Sequence, residues 1–447
     1  MGLPSVVIAT TGFSLLARLT GKSGGVTDLS VAEYPGPVGI HDSAQIAENI
    51  ESVLIDQIVH GLTMGSGVLE ATASAGGPRD IVFTGTGADI RQHFEASEWS
   101  DGLPIVAPTL ERVDSFLRFT DRSPDEVVAV LQPANLQATP WKIAVNGVMA
   151  GCRPEHMPLL IAAVEALGDE RCNLNNIGSS SSLVPFVLIN GPIVAQLGIQ
   201  SGAQLVSRPP NPAIGRAIGL IVRNIAGYRP GSTYMGTFGY PLAFALAEHA
   251  EGSPWEPFHV EHGFDRNTST VTVGITSNWG SSPAPYDRPE KNGALTTLEM
   301  ISREIVKKTR IFMFPGRGPD ADTAMLTVLL SPSLAQSLAA AGYSKQGVKE
   351  YLFENTRMTL REFDWLCRYM SISGARPHEK VAEGVYPKEF SGAPDDIVQV
   401  LSGPDILHIV VCGDPNRNRL MVLEGGHTTP TTKAVRLPRN WATTSPA

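Results

Sequence analysis

Four cysteines in 447 residues, at positions 152, 172, 367 and 412, form no Cys-x-x-Cys pair and no spacing suited to a disulfide framework or a zinc site. A reduced, cytoplasmic compartment is therefore expected, and the Asn267-Thr-Ser269 sequon is irrelevant there because glycosylation requires secretion. Basic residues are short as well: 35 Lys and Arg stand against 44 Asp and Glu, a formal charge of −9, with no basic run interleaved with aromatics. Nucleic acid is normally met by clustered Lys and Arg, so it is excluded as a partner. No apolar run approaches the roughly 20 residues that span a bilayer. The first twenty residues lack a cationic start and a small-residue cleavage site, so neither a membrane segment nor a signal peptide is expected. Nucleotide loops are missing too. Gly85-Thr-Gly87 has no third glycine and no acidic partner after a second strand, Gly316-Arg-Gly318 reads as a loop between prolines, and neither carries a P-loop lysine. No cofactor is indicated. With 42% hydrophobic and 18% charged residues, the chain reads as globular, of roughly two or three domains.

What is present begins with residues 4–62, which read as strand, helix, strand, helix. Pro4-Ser-Val-Val-Ile-Ala9 is a β-branched run, Thr11 to Leu19 has helical apolar spacing, and Leu29 to Tyr34 alternates like a second strand. Asp42 and Gln45 form a capping box for a helix whose stripe is Ile46, Ile50, Leu54 and Ile58, with Gly61 at its stop. Strands alternating with helices argue a parallel, Rossmann-like sheet. Two strands cannot make such a sheet stable, so the unit reads as half a domain that needs a partner to complete it.

Gly2-Leu-Pro-Ser-Val-Val-Ile-Ala-Thr-Thr-Gly-Phe-Ser-Leu-Leu-Ala-Arg18 resembles the C-terminal half of the UGSC (seleno)protein domain. The likeness extends through Trp99-Ser-Asp-Gly-Leu-Pro104, Asn146-Gly-Val-Met-Ala-Gly-Cys-Arg-Pro-Glu155, Ile189-Asn-Gly-Pro-Ile193 and Ser253-Pro-Trp-Glu-Pro257, which resemble the large domain accompanying it. The family's selenocysteine- or cysteine-Gly-Ser-Cys motif is absent from this chain. The resemblance implies that a separate small polypeptide carries the motif and the missing half of the sheet, in a heterodimer or a dimer of heterodimers.

The organisation expected is a half-domain over 1–62, a Gly/Ser/Ala-rich linker over 63–80, a larger α+β domain over 81–426, and a loosely ordered, Thr- and Pro-rich tail over 427–447. Within the large domain, 79–84 reads as a strand and 88–96 as a helix. Ser123-Pro-Asp-Glu126 and Thr139-Pro140 carry helix-start signals, the second opening a helix to about Gly151. Strands are expected at 184–189, 269–276, 406–411 and 420–423, and helices at 297–308, 333–341 and 345–355. Asn211-Pro212 caps a helix in which Gly215 and Gly219 let another backbone approach closely.

Cys152 is the leading thiol. It lies at an elbow before Arg153-Pro154, where a helix N-terminus and the arginine favour a thiolate; the alternative is a buried cysteine that packs the elbow. Cys412 has a weaker case of the same kind. Asp101 in the irregular Trp99–Pro104 segment can act as a base or bind a donor, or it can simply cap a turn. Asn190 follows a buried strand, and Pro192 starts a short helix that can hold an anion. Arg216 and Arg223, seven residues apart, can clamp a carboxylate or pair with acidic neighbours. In Trp255–His262, His259 and Glu261 would share a strand face and serve as acid–base residues, and a self-contained hydrolase or lyase would use Asp101, Glu256 and His259. His259 and His262 lack a third ligand of diagnostic spacing, so no metal is expected. The substrate contacts expected are Trp99, Ser100, Asn146, Arg153, Asn190, Asn211, Arg216 and Trp255.

Three functions follow. The first is a subunit of a heteromeric enzyme doing thiol-based redox or carbon–sulfur chemistry on a small molecule, with the partner supplying the nucleophile. The others are a non-catalytic binding or scaffold subunit, and a self-contained acid–base lyase or hydrolase.

Overall fold

The structure, a computed structural model, describes residues 4–441 apart from 24–25, 27, 64–76, 78, 180, 240–242, 278, 281, 289–290, 309–325, 370–375 and 426–428. Most of the expected linker and the Gly316–Gly318 loop lie outside the described residues. The chain is mixed α/β with small parallel sheets.

The N-terminal unit runs β1 (Val7–Thr10), α1 (Ser14–Ser23), β2 (Val31–Tyr34), α2 (Ser43–Asn49), a π turn over Ile50–Leu54, and α3 (Ile55–Thr63). Asp42 caps α2 by accepting the Gln45 N–H. Ala32, Tyr34 and Leu54 form a small core with Val6 and Ile58. The two strands pair in parallel, Val7 opposite Val31 and Thr10 opposite Tyr34, and among the described residues no third strand joins them. In a parallel pair alternate residues aim their amides at opposite edges. Val7 and Thr11 donate toward β2, so Ile8 and Thr10 aim outward. The N–H and C=O of Ile8 have no partner among the described residues, and its side chain is 56% exposed. On the outer edge of β2, Gln57 of α3 bonds both the N–H and the C=O of Glu33.

The remainder supplies α4 (Gly87–Ala96), α5 (Leu110–Leu117), a hairpin of β3 (Ala129–Leu131) and β4 (Leu136–Ala138), α6 (Pro140–Met149), α7 (Met157–Leu167), β5 (Val184–Asn190), α8 (Ile193–Gln196), α9 (Asn211–Ile221), β6 (Phe244–Ala247), α10 (Phe258–Glu261) and β7 (Thr270–Thr276). These are followed by α11 (Gly293–Lys308), β8 (Leu326–Leu330), α12 (Pro332–Ala340), α13 (Lys345–Asn355), β9 (Arg357–Thr359), α14 (Leu360–Tyr369), α15 (Pro377–Ala382), β10 (Ile397–Gln399), β11 (Leu407–Val411), β12 (Leu420–Glu424) and β13 (Thr431–Ala434).

Two sheets organise this part, one in the order β13-β7-β5-β6 and one in the order β11-β8-β12. Every residue of β5 is buried, as a strand covered on both faces must be. Val187 and Ile189 face a core built with α5, α6, α7 and α9, whereas Phe186 and Leu188 join Leu246, Leu329, Val410 and Leu423 in a cluster shared by the two sheets. Helices α11 to α14 cover the second sheet. The layers are therefore helix, sheet, sheet, helix. Two glycines make them fit. At Gly274 a Cβ would lie 2.4 Å from the Phe186 ring, and at Gly215 one would lie 2.7 Å from the backbone of Ala243 and Phe244. The close approach expected of Gly215 is realised by α9 on β6.

Four expectations change. Residues 79–84 form no strand; Ile81 and Val82 lie exposed and unpaired. Ser123–Glu126 is a turn closed by Glu126 N–H to Ser123 C=O, because the following residues form the β3–β4 hairpin rather than a helix. His259 and Glu261 sit on the short helix α10, not on a strand. The described part of the tail, 429–441, is ordered: β13 pairs antiparallel with β7, Val435 is buried, and Trp441 meets Phe119 edge-on. The first sheet thus runs past the boundary expected at 426. Among the described residues no helix is long and apolar enough to cross a membrane.

Candidate functional site

Trp99–Pro104 is irregular, yet it is firmly held. Ser100 Oγ accepts the Gly102 N–H, Asp101 Oδ1 accepts the Leu103 N–H, and Gly102 takes a φ of +82°. That is the turn expected of Asp101. Its carboxylate does more, because Arg216 of α9 forks onto it, Nε to Oδ2 at 2.9 Å and Nη2 to Oδ1 at 2.8 Å. Arg216 also donates to the carbonyls of Leu103 and Pro104. Burial pushes the Asp101 carboxyl up, but the bonds and charge of Arg216 outweigh it and leave the group below the usual range. Asp101 is an ionised, partnered carboxylate and a poor base.

The same segment is tied to the end of α9. Asn224 donates to the carbonyl of Trp99 and to Asn146 Oδ1, and Arg223 Nε donates to the carbonyl of Glu98. The Trp99 ring stands edge-on to His93 and Phe94. The fold therefore gathers Trp99, Ser100, Asp101, Asn146 and Arg216, which are spread over 118 positions of sequence. Arg216 is committed to Asp101, so it does not clamp a free carboxylate as one reading expected.

Beside Asp101 lies a cavity of about 80 Å³ walled by Ile177, Leu183, Val184, Tyr228, Pro230 and Tyr234, with Arg223 at its polar end. Arg223 is displaced from regular α9 geometry by a π turn over Val222–Ala226 that ends at Gly227, φ +86°. Its guanidinium is held below its usual pKa, first by burial and then by the nearby charge of Arg229. Arg229 was not legible as a site residue; its only sequence signal is its place in the Gly-Tyr-Arg-Pro-Gly loop.

Cys152 is close by but differently disposed. It is buried, its Sγ donates to the carbonyl of Ala213 at 3.3 Å, and burial pushes the thiol up to about 12. The helix-terminus effect expected to favour a thiolate is outweighed by desolvation. Arg153 turns away from the thiol to Glu155 and the carbonyl of Leu197. Cys412 is buried and pushed up to about 12 as well.

The remaining candidates lie elsewhere. Val184 at one end of β5 lines the cavity, and Asn190 at the other end is six residues away, roughly 20 Å at strand rise. Asn211 is buried and bonds the N–H and C=O of Gln200, a structural role. The N–H of Ile193 at the start of α8 is taken by Ser269 Oγ. Glu256 is an exposed partner of Arg266, and Trp255 Nε1 donates to the carbonyl of Tyr343. His259 is buried with Nε2 against the carbonyl of Arg266. Asp101, Glu256 and His259 are not assembled as an acid–base set.

Asn190 instead meets a carboxyl the sequence did not single out. Its Nδ2 donates to Glu248 Oε2, which also accepts the Phe258 N–H at 2.7 Å, and Glu248 Oε1 is buried with no hydrogen-bond partner among the described residues. Burial pushes Glu248 up to about 7. Its sequence signal was an acidic residue at the carboxyl end of the apolar β6. Among the described residues no three His, Cys, Asp or Glu side chains are grouped to hold a metal ion.

The fold and site thus define a layered α/β protein with an arginine-bordered cavity and a two-stranded N-terminal sheet. No protein family, curated protein or solved structure matches the chain.

Proposed function

We propose that this chain is one subunit of a two-chain enzyme that performs thiol-based chemistry on a small molecule in a reducing, cytoplasmic setting. A small partner polypeptide adds strands beside β1 and brings the cysteine or selenocysteine nucleophile of a UGSC-like motif. The observation that supports this reading is the edge of β1, where among the described residues the N–H and C=O of Ile8 have no partner and its side chain is exposed, while on the other edge Gln57 bonds the backbone of Glu33. An open edge next to an apolar face is a template for a strand from another chain. The thiol chemistry comes from the resemblance of the sequence strings.

Placement supports the same reading. In parallel sheets ligands collect beyond the carboxyl ends of strands. The residues after β1 approach the loop that walls the cavity: a Cβ on Gly12 would meet Met235 at 3.0 Å, and Leu16 of α1 reaches Gly178 next to Tyr228. A nucleophile on a strand beside β1 would therefore face the cavity next to Asp101 and Arg223. Cys152, with its protonated thiol, serves as packing for α9 in this arrangement.

The test is co-expression with the polypeptide encoded immediately upstream, followed by measurement of mass in solution. A stoichiometric complex that is lost when Ile8 is replaced by lysine is the expected result. A well-behaved lone chain that ignores that polypeptide would sink the reading and favour a non-catalytic binding subunit.

A further inference from the structure

The geometry points to a binding site for a small carboxylate with a short apolar body in the cavity that Arg223 and Asp101 line, with Arg229, which stands behind the wall between the lining residues Tyr228 and Pro230, as the second cation. Three guanidinium groups, Arg216, Arg223 and Arg229, meet two carboxylates there, Asp101 and Glu98. Arg216 and Asp101 neutralise each other as a buried fork with both side chains at most 14% exposed. That leaves two cations for Glu98, whose carboxylate is 62% exposed and stands 3.9 Å from Arg229 Nε. The local balance is one positive charge in excess.

Neither cation is saturated. Among the described residues, Arg223 makes one hydrogen bond, Nε to the carbonyl of Glu98, and Arg229 Nε is buried without a hydrogen bond. A guanidinium carries five N–H donors, so most of the donor capacity of Arg223 is unspent. Arg223 at the partly desolvated wall and Arg229 near it repel, and an anion held at Arg223 relieves the repulsion. The depressed pKa of Arg223, caused by burial and by Arg229, reports the same crowding.

The rest of the wall sets the ligand's other end. Ile177, Leu183, Val222, Tyr228, Pro230 and Tyr234 present mostly apolar surface. The tyrosine hydroxyls of 228 and 234 donate outward to the carbonyls of Leu174 and Leu183. The cavity, about 80 Å³, exceeds several times the ~15 Å³ that admits one water. A phosphate would bring a second charge for desolvation and no apolar contact, so the shape and charge favour a monocarboxylate. This inference names the substrate class of the enzyme proposed above and rests on that proposal only for turnover; binding itself is a property of this chain alone.

The test uses the purified full chain without any partner and propionate as the probe, titrated by saturation-transfer NMR. Saturable propionate binding is expected, with no binding of propionamide and no competition by inorganic phosphate. Arg223→Gln and Arg229→Gln should each weaken it by about tenfold or more, as loss of a charged hydrogen bond does. Ala243→Leu fills the cavity without changing charge and should abolish binding. Unfolding midpoints show whether each variant is folded, and Arg229→Gln and Ala243→Leu carry the test if loss of the Glu98 tie unfolds Arg223→Gln. Equal binding of propionamide, unchanged affinity in the folded variants, or phosphate binding in place of propionate would each overturn the assignment. Failure of the two-chain enzyme would leave propionate binding intact, so the two proposals fail separately.

Discussion

The side-chain amide of Gln57 grips the backbone of Glu33 from both sides, Oε1 accepting its N–H at 2.8 Å and Nε2 donating to its C=O at 3.1 Å. A glutamine thus does for Glu33 of β2 what a third strand would do, and the proposed partner is assigned to the β1 edge. Replacing Gln57 with leucine should cost about 1–2 kcal/mol in denaturant unfolding, the net value of two hydrogen bonds. It should not impair assembly. Ile8→Lys should do the reverse, leaving stability of the lone chain within about 0.5 kcal/mol because the side chain is exposed, and abolishing the proposed complex, as checked by mass in solution. Loss of assembly in Gln57→Leu with normal assembly in Ile8→Lys would place the partner on the wrong edge.

Much of the frame was legible because it is local. Thr139-Pro140 opens α6 as the capping rule requires, with Thr139 accepting the Lys142 N–H, and α13 runs Lys345–Asn355 as expected. The strands β5, β7, β11 and β12 match their apolar runs to within a few residues, whereas β8 (Leu326–Leu330), the central strand of the second sheet, was not expected. What failed depended on distant partners. Ser123–Glu126 has an N-cap signature but is overridden by the β3–β4 hairpin, and the polar Thr431-Thr-Lys-Ala434 becomes a strand only because β7 pairs with it, Thr432 Oγ1 meeting Thr272 Oγ1 at 2.8 Å. Site residues fared similarly. Asp101 and Trp99 stood out by their unusual segment, but the fork of Arg216 on Asp101 spans 115 positions and the crowding of Arg223 by Arg229 needs the π turn. Neither leaves a local pattern.

The Asp101–Arg216 fork is both mostly buried and bidentate, a geometry in which removing one member leaves the other unpaired. Arg216→Ala should cost about 2–4 kcal/mol of stability, since it strands Asp101 and two carbonyls. Arg216→Lys should recover only part of this, because an ammonium cannot make the fork. A double-mutant cycle with Asp101→Ala checks the point, and additive losses would mean the fork contributes nothing of its own.

Cys152 should be silent to alkylating reagents in the folded chain. Its thiol, like those of Cys172 and Cys412, is pushed up to about 12 by burial, so almost no thiolate exists at pH 8. Mass spectrometry after iodoacetamide treatment should find these three residues unmodified until the chain is unfolded. Cys152→Ala should cost about 1 kcal/mol of packing and leave activity of the assembled enzyme near normal. A folded Cys152→Ala enzyme with no activity would restore the catalytic reading of this thiol.

Glu248 gives the chain a pH dependence of definite sign. It is buried at the carboxyl end of β6, bonded by Asn190 and the Phe258 N–H, with Lys345, Glu261 and Cys412 as its charged and titratable neighbours. Burial raises it from 4.5 to about 7, with Lys345 opposing the shift. Between these values the native chain holds a proton that the unfolded chain has released, so stability falls as pH rises through the window. The contribution is fully present below about 4.5 and lost above about 7, and amounts to something on the order of 3 kcal/mol. His156 and His408 act in the opposite sense. Burial presses each down to about 3, so the unfolded state takes up their protons first and stability rises with pH up to about 6.5. The bare profile of the wild type therefore mixes two slopes, and the difference between wild type and Glu248→Gln isolates one of them. The amide keeps an acceptor for Phe258 and cannot ionise. Wild type minus variant, measured by urea unfolding at pH 4.5 to 8, should decline steadily and level off above pH 7. A difference that stays constant across that range would mean that Glu248 titrates as an ordinary carboxylate and that its burial is relieved in solution.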